Sequence, residues 1–126
     1  MPIFERAFRC SAHETWTDSP YYEQMCYVGD NALHAVSNYA WFTDDRLSRR
    51  SLTLFDWSRR PSGLVAERYP SAWRQESVTY SMLWPMMVRD FAWWRDDACF
   101  VRHMLPGVRS VLAEFEGFEH SGGLLR

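Results

Sequence analysis

The sequence predicts an all-α fold, and three observations support this prediction. No stretch of the 126 residues shows the sustained alternation of polar and apolar residues that is typical of a half-buried strand. Apolar residues instead recur at helical spacing in several segments, and short clusters of Asp, Ser, Pro and Gly separate these segments. Because short connections join helices that pack side by side, we expect antiparallel helical hairpins.

The first helix is predicted to begin at Asp18-Ser19-Pro20, where a capping side chain precedes a proline suited to the first helical turn. Residues 1–17 lack such a signal and predict an irregular leading segment. Gly29 interrupts the aromatic turn that follows residue 20, and Asp30 then caps a second helical stretch that reaches Phe42.

Similar helix-boundary signals occur in three later segments. Thr43-Asp44-Asp45 predicts a turn and an N-cap, and Pro61-Ser62-Gly63 ends the helix that follows, before a loop at residues 64–74. Residues 75–95 have almost no polar face, which predicts a helix buried on nearly all sides and kinked at Pro85. Asp96-Asp97 caps a last segment, which Pro106-Gly107 is expected to split before a terminal turn at residues 121–123.

Composition excludes several classes of protein. The net charge is −2 and no basic tract is present, which argues against nucleic-acid binding. The longest apolar run, at residues 78–88, is too short to span a membrane. An N-terminus without signal-peptide features and three widely spaced cysteines indicate a cytoplasmic protein without disulfides. Cys10-x-x-His13 has no second pair of ligands, so we expect neither a metal site nor a cofactor.

The acidic residues around the first predicted helix are the strongest candidates for chemistry. Cleavage of a glycosidic bond needs one carboxyl group that donates a proton and a second that activates water or attacks the sugar. Glu23 suits the role of the proton donor, because two features of its surroundings would keep its carboxyl group protonated. Three rings would desolvate it, and two flanking carboxylates would supply like charge. The rings are those of Tyr21, Tyr22 and Tyr27, and the carboxylates are those of Asp18 and Asp30. A structural interpretation stays open at this point, in which both aspartates are N-caps and Glu23 is a solvated residue of a helical first turn.

Residues 13–30 resemble the catalytic segment of bacterial α-L-rhamnosidases, the family 78 glycoside hydrolases. The resemblance lies in the order His-Glu-Thr-x-x-Asp-x-Pro-Tyr-Tyr-Glu-Gln-x-x-Tyr-x-Gly-Asp. It continues more loosely through residues 57–64, 68–71 and 105–109. Ser19 stands where the family usually has Cys, and Asn31-Ala32 stands where Thr-Arg is typical.

The resemblance implies a fold, an activity and a set of roles. The fold would be part of an (α/α) toroid of six helical hairpins, so that residues 1–126 form a partial catalytic domain with hairpins from residue 18 onward. The activity would be inverting hydrolysis of terminal α-L-rhamnosides, with Glu23 as the general acid. Asp18 and Asp30 would hold the rhamnose hydroxyls, and the further candidates for substrate binding are Arg68, Tyr69 and Trp84.

The resemblance also implies that the general base belongs to a later hairpin beyond residue 126, so that the isolated chain would be incomplete and inactive. The expected partner is a rhamnose-containing glycoside. Apolar helix faces left uncovered by the later hairpins predict self-association. Two alternatives are a sugar-binding module without turnover and a purely structural helical interaction module.

Overall fold

The computed structural model describes residues 2–119, which form five helices. The helices are α1 (Pro2–Cys10), α2 (Val28–Trp41), α3 (Arg46–Trp57), α4 (Val78–Trp94) and α5 (Ala98–Glu116). Within the described residues β-structure is limited to isolated bridges, such as the one between Tyr27 and Arg68. The all-α prediction is therefore confirmed. The terminal turn predicted at residues 121–123 lies outside the described residues.

Two helical hairpins form the body of the structure. Residues 42–45 join α2 to α3, and residues 95–97 join α4 to α5. Helix α4 packs against α2, α3 and α5, so it is the central helix. Asp97 caps α5 as predicted, because its side chain accepts a hydrogen bond from the backbone N–H of Phe100 at 2.9 Å.

The core forms where α4 meets its neighbours. Its largest fully buried side chains are Trp16, Trp84, Phe55 and Phe91. Helix α5 approaches Trp84 closely at Gly107, where an added Cβ would lie only 2.7 Å from the indole ring. Helix α5 continues through Pro106 from Ala98 to Glu116, so the prediction that Pro106-Gly107 splits this segment is wrong. We attribute the continuity of α5 to this packing, which compensates for the backbone hydrogen bond that a proline cannot make.

Residues 2–10 form a helix, which corrects the prediction of an irregular segment for that part of residues 1–17, whereas residues 11–17 are irregular as predicted. Pro2 occupies the start of α1, a position that tolerates proline, and Arg9 forms an ion pair with Glu5 one turn away at 2.9 Å. Phe8 anchors the helix by packing against Trp16 and Phe42, with ring centroids 6.0 and 5.5 Å apart. Phe8 thus anchors α1 to the domain, together with Phe4, whose ring centroid lies 5.3 Å from that of Trp41.

Residues 18–27 form a closed loop, so the helix start predicted at Asp18-Ser19-Pro20 is wrong. The Asp18 carboxylate accepts a hydrogen bond from the Met25 N–H at 2.8 Å, and the Asp18 N–H donates to the Met25 carbonyl at 2.9 Å. Gln24 adopts a φ of +53°, which a helix does not allow. The helix begins instead at Val28, so Gly29 lies in its first turn and does not interrupt it.

Helix α4 runs without a break through Pro85, but it is not buried on nearly all sides as predicted. Trp93 is 85% exposed, and Met86 and Trp94 are also exposed. The buried face is narrower, because only the residues that meet α2, α3 and α5 are covered. None of the described helices is long and apolar enough to cross a membrane. The cytoplasmic location stays a prediction.

Candidate functional site

The candidate site is built where the 66–70 segment lies against the start of α2. The Val28 N–H donates to the Glu67 carbonyl at 2.9 Å, and the Tyr69 N–H donates to the Cys26 carbonyl at 3.1 Å. These backbone bonds fix Arg68 opposite Tyr27, the residue just before α2. Backbone hydrogen bonds therefore bring together residues that are far apart in the sequence, so their proximity does not depend on side-chain contacts alone.

A line of hydrogen bonds joins Glu23, Tyr27 and Arg68. The Tyr27 hydroxyl donates to Glu23 Oε2 at 2.6 Å and accepts from Arg68 Nη1 at 2.7 Å. The Arg68 guanidinium also lies over the Tyr27 ring, 5.5 Å from its centroid. The hydrogen bond to the Glu23 carboxylate raises the pKa of Tyr27, so this hydroxyl keeps its proton and continues to donate.

The ring-lined niche predicted around Glu23 is not present in this structure. Glu23 is exposed, Tyr21 is 77% exposed and Tyr22 is 87% exposed. The two neighbouring rings pack edge to face against each other, with centroids 5.0 Å apart, and leave the carboxylate uncovered. Of the three tyrosines expected to desolvate Glu23, only Tyr27 hydrogen-bonds to its carboxylate. The prediction is wrong on this point because a loop, unlike the expected helix, turns the first two rings outward.

Asp18 and Asp30 are both half-buried. Asp18 uses one carboxylate oxygen to close the 18–25 loop, and Asp30 lies in the first turn of α2. Burial lowers the pKa of His34, and the negative charges of Asp30 and Asp18 oppose that shift. Both carboxylates are therefore close enough to act electrostatically on one imidazole. The first turn of a helix also favours the negative charge of Asp30.

Asn31 is a positioning residue whose contacts the sequence did not reveal. Its fully buried amide donates to the Tyr27 carbonyl at 2.7 Å and to the Trp16 carbonyl at 3.3 Å. Its carbonyl oxygen accepts a hydrogen bond from the Ser51 hydroxyl at 2.6 Å. At the sequence level the replacement of Thr-Arg by Asn31-Ala32 was the only signal. These bonds tie the start of α2 to α3 behind the site.

Arg68 and Tyr69 also line an open cleft of about 570 Å³ at the end of α3. The resemblance implies substrate binding by these two residues and not by the others that form the walls of the cleft. The resemblance at residues 57–64 was a partial signal, since Trp57, Arg59 and Arg60 lie within it. The residues missed are Trp57, Arg59, Arg60, Trp73 and Arg74.

Trp84 does not join this cleft. Its side chain is fully buried, and its indole N–H donates to the Leu52 carbonyl at 3.1 Å. A ring enclosed in this way has no face available for stacking, so the structure does not fit the predicted substrate contact. Among residues 2–119 no three His, Cys, Asp or Glu side chains converge as ligands for a metal ion.

The chain is similar to known proteins along almost all of its length. Residues 2–118 match the family model for the bacterial alpha-L-rhamnosidase 6 hairpin glycosidase domain. A crystal structure of a family 78 rhamnosidase of Bacillus sp. GL1 matches with a TM-score of 0.88 and 28% identity, over 95% of this chain and 13% of that chain. A rhamnosidase from Klebsiella oxytoca with rhamnose bound matches with a TM-score of 0.86 and 21% identity.

The second match covers 97% of this chain and 25% of the Klebsiella chain, so the chain spans a quarter or less of either rhamnosidase. A search of curated proteins found no match. The family model covers all five helices and the loop that holds Glu23. The chain therefore belongs to the bacterial alpha-L-rhamnosidase six-hairpin glycosidase family.

Proposed function

We propose that this chain supplies the proton-donating half of an α-L-rhamnosidase site, with Glu23 as the general acid. The observation that carries the proposal is the family match over residues 2–118, which includes Glu23 and both flanking aspartates. The reaction is the inverting hydrolysis of terminal α-L-rhamnosides. The proposal extends to this chain the activity that the names of the two similar structures give to those proteins.

Tyr27 gives Glu23 a physical means of acting as an acid. As the carboxyl group hands its proton to the leaving oxygen, a carboxylate forms, and the Tyr27 hydroxyl is in place to donate to it at 2.6 Å. Arg68 fixes the Tyr27 hydroxyl through a second hydrogen bond at 2.7 Å. Exposure of Glu23 is compatible with this role, since a proton donor must be reachable by the bound substrate.

Asp18 and Asp30 are proposed to accept hydrogen bonds from the rhamnose hydroxyls. Asp18 has one oxygen engaged with the Met25 N–H, and its second oxygen makes no hydrogen bond to a described residue. Their negative charge would also stabilise the positive charge that develops on the sugar ring in the transition state. Tyr69 is proposed as an additional contact at the edge of the cleft.

Inversion needs a second carboxylate about 6.5–9.5 Å from the acid, with space for a water molecule between them. We propose that a later hairpin of the six-hairpin domain supplies this base. The chain of residues 1–126 then binds the sugar without hydrolysing the glycosidic bond. Joining these residues to the later hairpins is expected to produce turnover.

The experiment measures release of the aglycone from an aryl α-L-rhamnoside by that longer protein. Glu23→Gln is expected to reduce kcat by about 100-fold or more, because general acid catalysis contributes about 10²–10⁴-fold. Glu116→Gln, at an exposed position on α5, is the matched control and should leave kcat unchanged. Full activity in the Glu23→Gln protein would remove Glu23 from the mechanism.

A second candidate function is a helical interaction module, favoured by large apolar side chains that remain exposed. These side chains include Ile3, Tyr22, Leu33, Trp57, Trp73 and Trp93, each at least 69% exposed. Analytical ultracentrifugation of the chain tests this function. Self-association without affinity for rhamnose would favour the interaction module, whereas a monomer that binds rhamnose would favour the glycosidase.

A further inference from the structure

The cleft at the end of α3 has the size and charge of a binding site for a small anionic ligand. Its volume of about 570 Å³ lies within the range of sites that hold small molecules. Four arginines and a single acidic residue line it, so its formal charge is strongly positive in a chain whose net charge is −2. The charged residues are Arg59, Arg60, Arg68, Arg74 and Glu76.

The single acidic residue neutralises only one of the arginines. Glu76 forms an ion pair with Arg60, and Arg59 pairs with Asp56 outside the cleft at 2.7 Å. Arg74 forms no ion pair with any residue between positions 2 and 119. The cleft therefore keeps positive charge that its own residues do not compensate.

Arg68 adds an unused donor. Its Nη1 donates to the neutral Tyr27 hydroxyl, and its Nε is buried without a hydrogen-bond partner among the described residues. An unpaired buried donor is costly, and a guanidinium matches the two oxygens of a carboxylate through parallel hydrogen bonds. The geometry of Arg68 and the free charge of Arg74 both suit a carboxylate ligand.

Two tryptophans indicate that the ligand also has a ring. Trp57 is 69% exposed and Trp73 is 76% exposed, and both line the cleft. Flat apolar ring faces of this kind stack against the apolar faces of sugars. Ser71 and Gln75, also in the lining, are able to hydrogen-bond to hydroxyl groups.

We propose that this cleft binds a sugar bearing a carboxylate, that is, a uronic acid residue, on the aglycone side of the rhamnose. The position rests on the proposed function, because Arg68 connects the cleft to the proton donor through Tyr27 over two hydrogen bonds of 2.7 and 2.6 Å. The carboxylate is held by Arg68 and Arg74, and the sugar ring stacks on Trp73. The site thereby selects acidic over neutral rhamnosides.

Calorimetric titration of the chain with methyl β-D-glucuronide and methyl β-D-glucoside tests the selectivity. The glucuronide is expected to bind about tenfold or more tightly at low ionic strength, because hydrogen bonds between charged partners exceed those to a neutral hydroxyl. High salt should reduce this preference, since the Debye length falls from about 30 Å at 0.01 M to about 3 Å at 1 M. Equal affinity for the two glycosides would overturn the proposal.

Substitutions in the cleft identify the side chains that bind the glucuronide. Arg74→Gln is expected to remove most of the preference for the glucuronide, whereas Arg74→Lys keeps the charge and should keep part of it. Arg102→Gln is the matched control, because Arg102 is an exposed arginine on α5 outside the cleft. Trp73→Ala should weaken binding of both glycosides. Thermal melts of each variant establish that it is folded, and a preference unchanged by Arg74→Gln in a folded chain would contradict the assignment.

Sodium acetate separates a sugar site from a simple anion site. The proposal predicts that acetate competes weakly, and acetate binding as tightly as the glucuronide would contradict the stacking of a ring. None of these titrations requires turnover, so they are independent of the role of Glu23. Selectivity for the glucuronide together with full rhamnosidase activity in Glu23→Gln would refute only the role of Glu23 as the general acid. Equal affinity for the two glycosides together with loss of activity in Glu23→Gln would refute only the acidic subsite.

Discussion

Replacing Trp84 with phenylalanine is expected to destabilise the fold by about 2–3 kcal/mol without a direct effect on sugar contacts. Trp84 is fully buried, so the smaller ring leaves a cavity and loses apolar contact worth about 1–2 kcal/mol. The hydrogen bond from the indole N–H to the Leu52 carbonyl, 3.1 Å long, contributes about 1 kcal/mol more. This loss is a large part of the about 5–15 kcal/mol that a domain of this kind has in total.

Urea denaturation followed by far-ultraviolet circular dichroism measures the loss. The midpoint should fall while the slope stays constant, because the surface exposed on unfolding hardly changes. Trp93→Phe is the matched control, since Trp93 lies on the same helix and is 85% exposed, and it should change stability by no more than about 0.5 kcal/mol. Equal losses in the two variants, or weaker rhamnose binding by Trp84→Phe at unchanged stability, would refute the assignment of Trp84 to the core.

Two further predictions follow from buried titratable groups. Burial raises the pKa of the Cys26 thiol to about 11, whereas Cys10 and Cys99 are exposed, so a thiol reagent near pH 8 should modify two cysteines rapidly and the third only after unfolding. Three rapidly reacting thiols would contradict that packing. Burial also raises the pKa of Tyr39 from 10.0 to about 12. The contribution of the protonated Tyr39 to the free energy of unfolding is therefore complete below pH 10. It is lost as the pH rises toward 12, by up to about 3 kcal/mol. Urea midpoints in that range should depend less on pH in Tyr39→Phe, and an identical pH dependence would refute the argument.

The helices that the sequence predicted well are those whose signals are local. Asp97 was expected to cap α5, and its carboxylate does accept the Phe100 N–H. Helix α1 was missed because its evidence is split between a proline at its start, a Glu5–Arg9 pair and the spacing of Phe4 and Phe8. Each of these signals is weak alone, and the helix is held by packing of Phe8 that the sequence does not show.

The sequence named part of the candidate site but did not show its geometry. Resemblance pointed to Glu23 and to the segment with Arg68, and the structure joins them through the Tyr27 hydroxyl. The loop at residues 18–25 could not be foreseen, because Asp18 bonds to Met25 across seven positions, whereas a helix cap bonds to nearby backbone groups. The helix that carries Trp84 was expected to be buried, but the close approach of Gly107 from another helix, which helps to enclose the Trp84 ring, was not visible in the sequence.

The dependence of hydrolysis on the leaving group tests the central claim, that Glu23 gives a proton to the departing oxygen. The measurement compares kcat for a nitrophenyl and for an alkyl α-L-rhamnoside, in the protein that joins residues 1–126 to the later hairpins and in its Glu23→Gln variant. An alkoxide leaves far less readily than a nitrophenolate, so the variant should lose much more activity on the alkyl glycoside. Equal losses on the two substrates, or no loss on either, would contradict the account.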